Sequence, residues 1–365
     1  MLSELTLLLI SLLSFFLPTQ LAFHFNNFQN TVYGFSIDYL IPTLYLTDII
    51  ALLIIFFGIN KLRFSSAMKF NYKYILYLIF VVINIYVSNY QIASIYKWIK
   101  ITEMILLGIV IFNTKKFELF KHFVKPLSYS IIICCILGIW QYLTNGSIGG
   151  LFYLLGERSF IFNNPNVAPY PYSTFSHPNS FAGFLLVTAI YILQFKNKFN
   201  IKYFWFLTLF VATNLILTNS LNVYVTILIL LFLRFRSNWS FAFLSFDFSQ
   251  RFVTHRIELI QSAFKIIKEN FWFGVGLNNF IPNLVKVSNT FLNSWELQPV
   301  HNIFLLVFSE TGIFGLIAFI SLFININLPL LAILLTGLND HYWLTLQQNL
   351  LLFTYVVIIS RKQRI

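Results

Sequence analysis

His301 stands at the edge of a strongly apolar run, "PVHNIFLLVFSETGIFG" (299–315), and Glu310 lies about two and a half helical turns further in. Ionisable groups are expensive in such a setting and mark candidate sites. Imidazole titrates near neutrality and is the usual general base. Asn302 beside it can orient or bind a polar group. Arg256 opens the stretch "RIELIQSAFKIIKEN", where a guanidinium fork matches phosphate oxygens two at a time. Contact with lipid headgroups is the alternative reading of that arginine. Arg158 lies in "GERSF" (156–160), and His177 and Asn179 lie in "FSHPNSFAG" (175–183). Pro178 suits the first turn of a helix, which puts His177 and Asn179 at the mouth of a span, where a plain polar cap is the alternative reading. Lys97, Lys100 and Glu103 recur every three residues and share one helix face. They form either a mutually neutralising cluster or the lining of a polar cavity.

Other chemistries lack their motifs. There is no Walker loop, and Gly274-x-Gly276 has no third glycine and no strand before it. Cys134 and Cys135 are adjacent, which suits neither a disulfide framework nor zinc. No acidic metal cluster is legible, so no metal and no cofactor are expected. The residue types fit transfer from a donor that is already activated and carries its own phosphate leaving group.

The elements that must position these groups are helices in lipid. Of the 365 residues 58% are hydrophobic and only 10% charged, against about 25% charged in soluble domains. The apolar runs are continuous rather than alternating, which excludes a β-barrel. The expectation is an all-α polytopic membrane protein with about 10–12 transmembrane helices, forming one integral membrane domain over 1–365. Spans are expected near 4–23, 40–59, 74–90, 92–112, 126–144, 180–195, 203–219, 221–234, 303–322, 324–338 and 345–360. The stretch 145–179 is too rich in Asn, Pro and Gly to span and reads as an outer loop. Residues 249–302 read as a large extracytoplasmic loop. Within it, 256–270 forms an amphipathic helix with Ile257, Ile260, Phe264 and Ile267 on its apolar face.

The net charge of +12 does not point to nucleic acid. Its lysines and arginines cluster in short loops at 60–73, 113–125, 196–202 and 234–238 and in the tail "RKQRI", as the positive-inside rule requires of cytoplasmic loops. Both termini are then cytoplasmic. Counting from the two ends leaves one crossing unaccounted for between Arg236 and His301. Its candidate, "NWSFAFLSFDF" (238–248), is roughly half a span long.

Four stretches in this order carry a resemblance: "TFSHPNSFAGFLL" (174–186), "RIELIQSAFKIIKENFWFGVGLNNF" (256–280), "HNIFLLVFSETGIFGLIAF" (301–319) and "DHYWLTLQQNLLLF" (340–353). Together the chain resembles the bacterial O-antigen ligase and O-antigen polymerase superfamily. The resemblance implies a glycosyltransferase of the bacterial inner membrane, acting on its outer face. The donor would be a glycan on undecaprenyl diphosphate and the acceptor a glycan or lipid-linked glycan. Membrane lipids would be further partners. Carried over by position, Arg256 is the implied diphosphate clamp and His301 the implied base for the acceptor hydroxyl. Asn302 and Glu310 would support the site, and Arg158, His177, Asn179, Lys97 and Lys100 would bind substrate. The family's second arginine is absent at "NSLN" (219–222), with Arg158 and Lys97 the candidates to replace it. Two alternatives stay open on the same residues: a transporter or flippase of lipid-linked sugars, motivated by Asp48, Lys97, Lys100 and Glu103 within spans, and a degenerate, non-catalytic relative.

Overall fold

A computed structural model describes residues 2–26, 30–59, 72–154, 156–158, 170–235, 250–288, 293 and 296–363. The apolar runs become helices α1 (Leu2–Phe16), α2 (Leu46–Ile59), α3 (Tyr72–Tyr86), α4 (Gln91–Asn113) and α5 (Lys125–Thr144). After the short α6 (Leu151–Leu154) come α7 (Pro178–Gln194), α8 (Ile201–Leu217), α9 (Leu221–Phe235) and α10 (Gln250–Glu269). The chain continues through α11 (Phe280–Val287), α12 (Ile303–Ile320), α13 (Leu328–Gly337), α14 (Tyr342–Thr345) and α15 (Gln347–Lys362).

Of the helices, α1, α2, α3, α12 and α13 are shorter than the expected spans. Among the described residues two helices, Phe120–Thr144 and Ile303–Phe323, are long and apolar enough to cross a membrane, and the shorter apolar helices run 10–17 residues. The first stops at Phe16 rather than continuing to residue 23, because the residue before Pro18 is held out of helical geometry. The stretch expected to span 324–338 yields only the ten residues of α13, since Asn327 caps its first turn and Pro329 sits inside it. Large apolar side chains such as Leu8, Leu52, Phe56, Leu78, Leu209 and Ile317 face outward, exposed. Helices apolar on their outer side are consistent with a membrane protein.

Between α1 and α2 the chain forms two small ribbons that the all-helical expectation missed. β1 (Ala22–His24) pairs antiparallel with β4 (Thr43–Tyr45), and β2 (Thr31–Val32) with β3 (Phe35–Ser36). Tyr33 and Gly34 both take positive φ, 48° and 81°, which is the two-residue turn that matches strand twist.

The helices have two distinct ends. α7 starts at His177 and ends beside Lys196 and Lys198. The Lys362 ammonium donates to the Ile111 and Thr114 carbonyls, and Arg361 donates to the Ser321 carbonyl. Lys198 lies over the rings of Phe120 and Phe195. The far ends of α4, α7, α12 and α15 therefore gather with the basic residues. The opposite ends of the same helices carry Lys97, His177, His301 and Gln347, which line one cavity. The segment left in doubt by the charge count, 238–248, falls outside the described residues.

α10 begins six residues before the expected boundary at 256 and has two apolar faces. Leu259, Ala263 and Ile266 are buried in a second core with Val32, Ile37, Leu40, Phe280, Leu284, Val300 and Leu306. Ile257, Ile260 and Phe264 stay exposed, whereas Ile267 is buried, against the expected single stripe. This second core fastens the ribbons, α10, α11 and α12 beside one another.

Within α12 the helix breaks at Gly312, at φ 66° and ψ −167°. The break frees carbonyls that the "FWFGVG" loop satisfies: Val275 N–H donates to Ser309 and Gly276 N–H to Glu310, both at 3.0 Å. Asn84 ties the same knot, donating to the Phe273 and Glu310 carbonyls at 2.7 and 2.9 Å. Its amide oxygen accepts from Leu277 N–H and Trp98 Nε1–H. Only glycine adopts the Gly312 conformation without strain, and a Cβ there would lie 2.2 Å from the Trp272 carbonyl oxygen. Gly312→Ala is therefore expected to destabilise the folded chain by at least about 1–3 kcal/mol, read as a lower melting temperature in detergent.

Candidate active site

The cavity at the end remote from the lysines has a volume of about 1780 Å³. His301 reaches it from the residue before the cap of α12. Asn302 is that cap: its side-chain Oδ1 accepts from Phe304 and Leu305 N–H at 2.9 and 3.0 Å, and its Nδ2 donates to the Leu338 carbonyl at 2.9 Å. Asn302 is outside the cavity lining, so its expected substrate contact is replaced by a structural one: it locks the start of α12 to the end of α13. Buried Val300 and Ile303 on either side pin the His301 backbone. Glu310 is likewise absent from the lining, behind the lining residue Asn278. Its carboxylate accepts from Phe280 N–H at 3.2 Å and caps α11.

His177 lines the cavity from the N-cap of α7, and its Nδ1 accepts from Asn179 N–H at 3.2 Å. The Asn179 side chain in turn bonds the carboxylate of Asp340. Asp340 also accepts from His341 N–H at 2.8 Å. The ring of His341 lies 5.0 Å from that of His301 and 5.8 Å from that of Tyr39, between centroids. Arg256 enters from the first half of α10 and acts electrostatically on His177, His301, Asp340 and His341 together. Arg158 completes the wall, donating to the Ser176 carbonyl with its guanidinium 5.4 Å from the centre of the Tyr172 ring.

The electrostatics follow from burial. His301 is pushed down to about 3, first by burial and then by the charges of Arg256 and His255. Burial lowers His177 and His341 as well, favouring the neutral imidazole in each. Burial raises the Asp340 carboxyl, opposed by His177 and Arg256.

The two lysines differ. Lys97 lines the cavity and donates to the Leu344 carbonyl at 2.6 Å. Lys100 also touches the lining, but its charge is spent on Asp48 in a buried ion pair. Asp48 accepts in addition from Tyr45 N–H at 2.7 Å and Gln347 Nε2 at 2.6 Å. For Lys100 the neutralising reading therefore replaces the substrate-binding one. Among the described residues, sequence reasoning assigned no role to Asp340, His341 or Tyr39. The signal was present for two of them: "NDHYW" places an acid and a histidine together between two apolar helices.

The comparison with known proteins bears on this constellation. Residues 176–320 match the O-antigen ligase family. The match spans less than half of the chain and supports the resemblance to the O-antigen ligase and polymerase superfamily. It supports, in general terms, a place in surface polysaccharide biosynthesis. No curated protein and no solved structure matches the chain. The O-antigen ligase region contains His177, Asn179, Arg256 and His301, whereas Arg158, Asp340, His341 and the ribbon residues reach the cavity from outside it.

Proposed function

We propose that the protein spans the bacterial cytoplasmic membrane many times and transfers a glycan from a polyprenyl diphosphate to a sugar hydroxyl on the outer face. The observation that carries this reading is the convergence of Arg158, His177, Arg256 and His301, from four separate segments, on one cavity. That cavity lies at the end of the helices opposite the basic loops, and the positive-inside rule assigns those loops to the cytoplasm.

The chemistry follows from the charges. A diphosphate beside Arg256 and Arg158 gains two guanidinium partners, with Arg158 taking over the part of the family's missing arginine. His301 accepts the proton of the acceptor hydroxyl. The hydroxyl oxygen bonds to the anomeric carbon while the bond to the diphosphate breaks. The polyprenyl diphosphate leaves with its charge held by the arginines. The low affinity of free His301 for a proton fits this order of events. The imidazole is neutral and ready, and the negative charge of the arriving donor raises its basicity where the proton must be taken.

The test is binding of undecaprenyl diphosphate, without a glycan, to the full chain in nanodiscs. Arg256→Ala removes charge-assisted hydrogen bonds of about 1.5–3 kcal/mol and is expected to weaken binding roughly 10- to 150-fold. Arg256→Lys keeps the charge but loses the fork and falls between. Unchanged affinity in Arg256→Ala would remove the diphosphate clamp from the reading.

A further inference from the structure

The tertiary structure brings together three groups that lie far apart in the sequence. His301 stands before α12, and Asp340 and His341 stand between α13 and α14. One ligand atom from each lies within 4.8 Å of the others. His301 Nδ1 is buried and has no hydrogen-bond partner. Leaving such a nitrogen unpaired costs about 1–3 kcal/mol, so a group that fills it gains that much advantage. The His341 Nδ1 is held by Thr345 Oγ1 at 2.9 Å, which leaves Nε2 as its free nitrogen. Asp340 is fixed by the His341 N–H and the Asn179 side chain. Metal-binding histidines and carboxylates are typically steadied by such outer hydrogen bonds.

We infer that His301, Asp340 and His341 form a site for one divalent transition-metal ion of the zinc class. Two imidazole nitrogens and one carboxylate oxygen suit an ion of borderline softness rather than calcium or magnesium. Three protein ligands facing a polar cavity leave a coordination position open, unlike a closed structural zinc site. Arg256 opposes the cation and the Asp340 carboxylate favours it, so the site is weaker than one without the arginine. The inference extends the proposed function in one respect. A cation on His301 takes the lone pair that a base requires, so zinc binding and glycan transfer exclude each other.

The experiment measures Zn²⁺ alone, by equilibrium competition with a chromophoric chelator. It uses the full chain without a histidine tag, with both buried cysteines changed to serine. One saturable equivalent is expected. His341→Gln and Asp340→Asn each remove a ligand and should weaken it at least about tenfold, the lower bound for disturbing even an outer partner. Thr345→Val leaves all three ligands in place and should weaken it roughly 10–100-fold by releasing the His341 ring. No saturable equivalent, or one whose affinity none of the three variants changes from the parent's, overturns the site. A chain that binds Zn²⁺ but still transfers no glycan once a chelator has removed the ion upholds the site and removes the functional reading. A chain that transfers glycan with no Zn²⁺ bound and no inhibition by it does the reverse.

Discussion

His301→Ala will lower glycan transfer by about 10²–10⁴-fold, the range over which a positioned general base accelerates proton removal. The loss belongs to the transfer step rather than to donor capture. In the structure the groups that would hold a diphosphate, Arg256 and Arg158, come from α10 and the loop before α7, and neither is hydrogen-bonded to the imidazole. The variant should therefore retain undecaprenyl diphosphate within a fewfold of the unchanged protein while product formation fails. The fold should tolerate the change, because Asn302 rather than His301 caps α12 and ties it to α13. The measurement is single-turnover transfer from a lipid-linked glycan in nanodiscs, with a metal chelator present, beside donor binding in the same preparation. Near-normal transfer would end the base assignment. Equal loss of transfer and of donor binding would recast His301 as a binding residue.

Lys100→Met will destabilise the protein by about 3–5 kcal/mol, the cost of leaving one partner of a buried ion pair without the other. Both partners are almost inaccessible, at 5% and 1% exposure, so water cannot rescue the remaining carboxylate. Asp48 also anchors two more elements, accepting from Tyr45 N–H at the end of β4 and from Gln347 at the start of α15. An unpaired charge there should loosen the cavity wall as well as the helix pair. Asp48→Asn combined with Lys100→Met carries no charge, keeps an acceptor for Tyr45 N–H, and turns an amide N–H towards Gln347, whose own amide can flip to accept it. It is expected to recover most of the lost stability, since replacing a buried pair by neutral groups is often close to neutral. Thermal unfolding of the three proteins in one detergent decides the matter. A single variant as stable as the parent would mean that Lys100 and Asp48 are not a pair in the folded protein.

The sequence by itself determined the helical character, the apolar exterior and the identity of the strongest candidates. Long apolar runs and a shortage of charge leave few alternatives to helices. His301, Arg256, Arg158, His177 and Asn179 were each legible as polar residues in costly or exposed places, because that property is local. Only the tertiary structure decided which of them meet. Asn302 and Glu310 looked equally suited to a site, yet both cap helices, because backbone N–H groups at a helix start compete for the same side-chain oxygens that a substrate would use. Lys100 could be assigned only once Asp48, 52 positions away, was seen beside it. The ribbons between α1 and α2 escaped notice because their strands are two or three residues long, too short for alternation to register. The grouping of His301 with Asp340 and His341 has no sequence signature at all. It exists because the Asn302 amide at the start of α12 holds the end of α13, so side chains some forty residues apart share one cavity.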